Sequence, residues 1–323
     1  MAERPVAWHQ AWYDALYAPS GFYRRALGPG RHFSTSMQGV PHAPVIMARA
    51  LSSLARRHGL TTLIDVGAHR GELAQALLQV GSTLRYVGVD INPAPSHTAG
   101  TDHWLQSPGG AALPPELRGI RDALVLAHEW LDVVPAVIAT AGRGGRWRQL
   151  WVDPSTGEPA PGPPVSELDQ DWLTRWAGPE VLIAEVGRSR DDAFADLVGR
   201  VEHGLVLMVD YGHHLHTRPA DGTLRGYRGG RQLHPVPDGS MDLTADVAID
   251  SLCSALEPYP RWAAPQHDAV DDLLGAPGNP DASLARQDPA AYLDALAHTG
   301  AHRTLAAPES FGGFWWVCVD RTH

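Results

Sequence analysis

The chain has 323 residues, and its 26 basic side chains are all arginine, set against 36 Asp and Glu for a net charge of −10. Without lysine there is no Schiff-base amine, no lysine general base and no P-loop of the G-x-x-x-x-G-K-[ST] type. The acidic balance also argues against a dedicated nucleic-acid binder.

An apolar fraction of 44% is enough to bury one large core. Two cysteines, Cys253 and Cys318, cannot build a disulfide framework or a zinc-ligand spacing. Met1 to Ala15 is broken by Glu3, Arg4, His9 and Asp14 and holds no apolar leader segment. No run reaches the roughly 18–20 apolar residues a membrane helix needs. The expectation is a cytoplasmic protein with no membrane insertion.

In chain order, Trp8, Trp12, Leu16 and Tyr17 recur at helical spacing before a turn at Ala18-Pro19-Ser20-Gly21. Pro44 to His58 predicts a helix stopped by Gly59. Thr61 to Val66 reads as a buried strand, Gly67 to Gly71 as a turn and Glu72 to Gln79 as a helix. Further strands are predicted at Arg85–Asp90, Ala123–Ala127, Val181–Glu185, Gly204–Asp210 and Gly313–Asp320, with a helix from Asp192 to Glu202. Strands alternating with helices predict an α/β domain with a doubly wound, mostly parallel sheet. Asp153–Val165 reads as a Pro/Gly-rich linker or insertion, and Ala263–Pro289 as a solvated acidic excursion. Trp147, Trp151, Trp172 and Trp176 are expected to pack an inserted subdomain.

The segment Asp65-Val66-Gly67-Ala68-His69-Arg70-Gly71 fits [DE]-x-G-x-x-x-G between a strand and a helix. Gly67 permits the tight turn, and Gly71 lets the backbone pass close to a ligand at the helix start. The G-x-G-x-x-G fingerprint is absent, so a nucleoside without a diphosphate is favoured over a dinucleotide, and S-adenosyl-L-methionine is such a ligand. Asp90, at the end of the next strand, either accepts hydrogen bonds from ribose hydroxyls or caps the turn through Asn92-Pro93.

A second constellation, His128-Glu129-Trp130-Leu131-Asp132-Val133-Val134-Pro135, follows the strand at Ala123–Ala127. A helical turn here would bring Glu129 and Asp132 to one face. Two carboxylates could hold a guanidinium or accept a proton, and His128 is a further candidate base. The other reading of Asp132 is a helix cap before Pro135. Adjacent His213 and His214, with His216, point apart on an extended chain, so no metal site is expected. Their loop, with Tyr211 and Arg225, is expected to wall or cover the substrate pocket.

The whole pattern resembles the MidA-like family of S-adenosyl-L-methionine-dependent methyltransferases. Tyr17 to Tyr23 resembles the family's Tyr-x-Pro-x-x-Gly-Tyr-Tyr opening, Phe33-Ser34-Thr35-Ser36 its Phe-x-Thr-Ser segment, and His128 to Pro135 its Asn-Glu-Phe-Phe-Asp-Ala-Leu-Pro. Asp210-Tyr211-Gly212, Gly222 to Tyr227 and Asp242 to Val247 follow in family order. Three departures stand out: the glycine turn lacks its central glycine, Met37 to Val40 replaces Pro-Glu-Ile-Ser, and His128 replaces asparagine.

The resemblance implies a class I (Rossmann-like) methyltransferase sheet in residues 60–323, insertions near 140–178 and 213–300, and a helical N-terminal cap in 1–59. It implies S-adenosyl-L-methionine held by Asp65, Gly67, Gly71, Asp90, Thr35 and Ser36, with Glu129, His128, Asp132 and Tyr211 around the acceptor. It further implies methylation of a protein arginine on a respiratory complex I subunit. A small-molecule or peptide O- or N-methyltransferase and a degenerate cofactor-binding assembly chaperone are the alternatives.

Overall fold

The structure is a computed structural model that describes residues 4–24, 40–95 and 99–323. Its centre is a seven-stranded sheet. From one edge to the other the strands are Arg261–Pro265, Trp315–Asp320, Gly204–Asp210, Ala123–His128, Thr62–Val66, Arg85–Asp90 and His103–Gln106. The five from Gly204–Asp210 to His103–Gln106 run parallel, whereas Trp315–Asp320 is antiparallel to both its neighbours.

Every residue of Ala123–His128 and Gly204–Asp210 is buried, as befits parallel strands covered on both faces. Alternate side chains feed two cores. Leu63, Leu124, Leu126 and Leu207 pack under the helices Ala43–Arg57 and Glu72–Gln79. Ile64, Val125, Val206 and Met208 pack against Phe194 and Leu197 of the helix Arg188–Gly199. Chain order reverses direction between Thr62–Val66 and Ala123–His128, the crevice where open α/β sheets bind ligands. This is the Rossmann-like class I methyltransferase architecture.

A second sheet runs Val6–Ala7, Trp147–Val152, Val137–Ala141 and Ile183–Val186, with Pro159–Pro164 added beside Trp147–Val152. Two expectations need correction here. The strand anticipated at Val181–Glu185 forms as Ile183–Val186, but antiparallel to Val137–Ala141 and outside the central sheet. A short apolar run carries no information about its partner. The segment Asp153–Val165, expected as a Pro/Gly-rich linker or insertion, is no plain linker: it contains the strand Pro159–Pro164 despite that strand's four prolines, because an edge strand tolerates missing N–H donors. Gly162 is required there, since a Cβ would lie 2.4 Å from the Trp151 ring. Trp147, Trp172 and Trp176 share one cluster of this lobe, as expected.

The acidic stretch at Ala263–Pro289 is also more ordered than expected. It holds the end of the edge strand Arg261–Pro265 and the helix Gln266–Leu274, whose Val270 is fully buried. The buried Gln266 amide donates to the carbonyls of Leu305 and Phe311 and accepts from the Trp316 indole. A longer helix, Pro289–Ala306, follows, and Asp288 caps it by accepting from the Ala291 N–H.

At the other end of the chain, the helix Trp8–Tyr17 closes over the sheet's ligand-binding edge. The Trp12 indole donates to Leu243 O at 2.9 Å, and the Tyr17 hydroxyl to Val133 O at 2.9 Å.

Candidate active site

The first crossover builds a tight turn. Gly67 has φ +85°, and its N–H and that of Ala68 both donate to Val89 O, at 2.9 and 3.1 Å. A Cβ on Gly67 would meet nothing nearer than His128 O at 3.9 Å, so the backbone angle, not crowding, demands glycine. Gly71, at φ +73°, is the N-cap of Glu72–Gln79 and supplies no side-chain cap. His69, where the family has a glycine, takes φ +49°. Its N–H donates to Asp90 Oδ2 at 2.9 Å, and its Nδ1 lies 3.2 Å from Glu72 Oε1.

Asp90 is 9% exposed and accepts from the Asn92 N–H through Oδ1 at 2.8 Å. It therefore does cap the turn after its strand. Each oxygen keeps a second lone pair, and the carboxylate also lines the cavity described next, so the two readings of Asp90 are compatible. Burial raises the Asp90 carboxyl above its ordinary value, against the pull of the Asn92 and His69 amides.

A cavity of about 150 Å³ lies above the switch point, bounded by the glycine turn, Asp90 to Asn92, Gly109 and Gly110, the loop from His128 to Val133, and Tyr17 and Tyr23. Five carboxylates line it, those of Asp65, Glu72, Asp90, Glu129 and Asp132, and no arginine does among the described residues. Asp65 accepts the Tyr86 hydroxyl at 2.6 Å, and burial lifts its carboxyl to about 7. Gly71 shapes the turn without lining the cavity.

The helical turn expected at Glu129–Asp132 does not form. Glu129 sits at φ +47° with its N–H on Val209 O at 2.9 Å, and the N–H groups of Leu131 and Asp132 both donate to Asp210 Oδ2 at 3.1 Å. A carboxylate from the neighbouring strand thus takes the donors that a helix would have left for its own cap. The loop is further clamped by Arg190, only 1% exposed, which donates to the carbonyls of Asp132, Val134, Ala245 and Asp246.

The side chains of Glu129 and Asp132 still reach the same cavity. The Asp132 carboxyl is buried and accepts a short hydrogen bond from the Tyr211 hydroxyl; burial lifts it to about 6, against the pull of Tyr211 and Arg190. His128 Nε2 lies 3.6 Å from Glu129 Oε1, and burial holds the imidazole down at about 4, uncharged at neutral pH.

Of the expected site residues, Asp65, Gly67, Asp90, His128, Glu129 and Asp132 come together in one cavity. Tyr211 reaches it only through Asp132. Thr35 and Ser36 lie outside the described residues. Arg225 pairs with Asp246 at 2.9 Å, and Glu185 accepts from the Thr223 and Leu224 N–H groups, which accounts for the Gly-Thr-Leu-Arg block. Of the histidine run, His213 is buried, His214 packs edge-on to Trp315 at 4.5 Å, and His216 is exposed.

The sequence reading missed Arg190 and the bracing role of Asp210. Asp210 opens a recognised block, but nothing around Arg190 distinguishes it from a surface arginine. Asp242 likewise opens a recognised block, but its role in accepting the Tyr23 hydroxyl at 2.7 Å was not anticipated.

A model of the family described as "Putative S-adenosyl-L-methionine-dependent methyltransferase" matches residues 46–259. Among solved structures, the chain is similar to a COG1565 superfamily member from Burkholderia thailandensis bound to S-adenosylhomocysteine. The TM-score is 0.75 at 21% identity, over 98% of this chain and 88% of that one. A native crystal structure of a COG1565 superfamily protein from the same organism gives a TM-score of 0.74 at 20% identity, with the same coverage. No curated protein matches the chain. No helix among the described residues is long and apolar enough to cross a membrane.

Proposed function

The chain belongs to this family of S-adenosyl-L-methionine-dependent methyltransferases, the MidA-like family its motifs resemble, and from that premise we propose that its methyl acceptor is a cationic nitrogen, the guanidinium of an arginine on a protein substrate. The observation that carries the reading is the cavity's lining of five carboxylates without an arginine among the described residues. Such a lining suits both a sulfonium donor and a guanidinium acceptor and repels anions. A subunit of respiratory complex I is the partner that the family resemblance suggests.

The residues of the turn fit this cofactor. The positive φ of Gly67 keeps the bend free of a side chain, and Asp90 has lone pairs to accept both ribose hydroxyls. The cofactor supplies an electrophilic methyl group.

On the acceptor side, Glu129 and Asp132 grip the guanidinium, and Tyr17 and Tyr23 shut out water from the cap side. When the nitrogen forms its bond to the methyl carbon and the sulfonium S–C bond breaks to leave a neutral thioether, the Glu129 carboxylate would receive the N–H proton. His128 is a poor rival for that proton, because burial keeps its basicity low.

The test is to incubate the enzyme and methyl-labelled donor with host lysate. Label in a protein band that hydrolyses to methylarginine supports the reading. Label confined to the organic extract favours a small-molecule acceptor instead, and donor binding without any transfer favours the assembly chaperone.

A further inference from the structure

Away from the cofactor cavity, three side chains with lone pairs converge on one another. His42 directly precedes the helix Ala43–Arg57, while Asp294 and His298 stand one turn apart on Pro289–Ala306. His42 Nε2 lies 3.6 Å from Asp294 Oδ1, and His298 Nε2 lies 3.7 Å from Asp294 Oδ2. The two imidazole centroids lie 4.0 Å apart, with the rings tilted by 39°. All three ligand atoms fall within 4.8 Å of one another.

These separations are too long for hydrogen bonds, which fall at about 2.7–3.2 Å. They run to opposite oxygens of the Asp294 carboxylate, and bonds of about 2.0–2.1 Å to a shared ion would draw the three ligand atoms, which lie within 4.8 Å of one another, closer still. The geometry therefore points to a site for a divalent transition ion of the zinc type, bound by His42, Asp294 and His298 with water in the fourth position. Two imidazoles and one carboxylate form a donor set that suits such an ion better than calcium or magnesium, which prefer oxygen.

Two features of the fold agree with this assignment. His42 occupies a helix N-cap in the left-handed region, at φ 64°, yet makes no capping hydrogen bond; its ring turns to the C-terminal helix instead. The N-terminal half of Pro289–Ala306 has little apolar anchorage: the helix's buried residues, Ala301, His302 and Leu305, all lie in its C-terminal half, while Leu293 and Leu296 are 65% and 40% exposed. An ion joining His42 to Asp294 and His298 would fasten that half of the helix to the rest of the molecule.

The experiment is a Co²⁺ and Zn²⁺ titration of the chelator-treated full chain, beside His42→Ala/His298→Ala and Asp294→Asn. One equivalent of Co²⁺ should give the intense visible absorption of a tetrahedral site, displaced by Zn²⁺. Zn²⁺ should also slow amide exchange at residues 289–298. Both variants should weaken the site by about tenfold or more, and each should keep the affinity of the parent chain for S-adenosylhomocysteine, which shows that it is folded. Unchanged stoichiometry and affinity in the double variant would place the metal on other histidines and overturn the proposal. So would Co²⁺ absorption of only the weak octahedral kind. The assignment does not depend on the methyl acceptor.

Discussion

The Tyr211 hydroxyl donates a hydrogen bond to the Asp132 carboxylate, joining the end of the strand Gly204–Asp210 to the loop that follows Ala123–His128. Burial and the neighbouring carboxylates raise the phenol well above its ordinary value, so it stays protonated and remains the donor. The bond favours the ionised form of Asp132, which burial alone would penalise. On the proposed function, Tyr211 is therefore a positioning residue that acts through Asp132 on the acceptor side of the cavity.

Tyr211→Phe removes that donor, and the Asp132 carboxyl should then move above about 6. The acidic limb of the pH–kcat profile should shift to higher pH, and kcat at pH 7 should fall about tenfold, the equivalent of a ~1.4 kcal/mol charge-assisted hydrogen bond. Affinity for S-adenosylhomocysteine should not change, since Tyr211 does not line the cavity. A profile whose limb stays in place would remove Asp132 as the titrating group.

Cofactor affinity should depend instead on Gly67 and Asp90. Asp90→Ala deletes the proposed ribose acceptor and strands the N–H groups of His69 and Asn92. One or two charge-assisted bonds at ~1.5–3 kcal/mol amount to a loss of roughly tenfold to a hundredfold or more in Kd. Gly67→Val forces a β-branched residue to φ +85° and should also weaken binding by distorting the turn. Calorimetry that finds both variants binding like the parent would refute the location of the cofactor.

Stability should fall as pH rises through the mildly acidic to neutral range. Burial lifts Asp242 to about 8, with the Tyr23 hydrogen bond opposing. A carboxyl whose folded value exceeds its unfolded one binds more protons in the native state, so its contribution is complete below about pH 4 and is lost as pH climbs through about 8. Asp65 acts in the same direction with its value of about 7. Asp242→Asn keeps an acceptor for Tyr23 but cannot ionise. Its Tm should therefore decline less between pH 5 and 8 than that of the parent, and parallel curves would show that Asp242 does not titrate in that window.

The parts of this site that lie in consecutive residues were legible in the sequence. Asp65 to Gly71 and Asp90 each take their geometry from a strand end and a turn, which neighbouring residue types encode. Glu129 and Asp132 were recognised as a pair, but their conformation was not, because Asp210 from another strand captures the Leu131 and Asp132 amides. Arg190 was invisible for the same reason: all four carbonyls it binds belong to distant loops. Strand pairing failed similarly at Ile183–Val186, whose apolar pattern suits either sheet and whose partner is fixed only by the packed lobe.

The proton acceptor can be identified by separating His128 from Glu129, whose side chains are 3.6 Å apart. With its imidazole held down at about 4 by burial, His128 is largely uncharged above pH 5 and contributes little titration there. His128→Asn, which restores the family residue, should leave the pH–kcat profile above pH 5 unchanged in shape. Glu129→Gln keeps the size of the side chain but removes the base, and should lower kcat by about a hundredfold or more, the usual worth of a positioned general base. Single-turnover rates with a saturating cofactor would isolate the transfer step. The opposite ranking, with the histidine variant crippled and the glutamine variant active, would transfer the proton to the imidazole and favour a hydroxyl acceptor over a guanidinium.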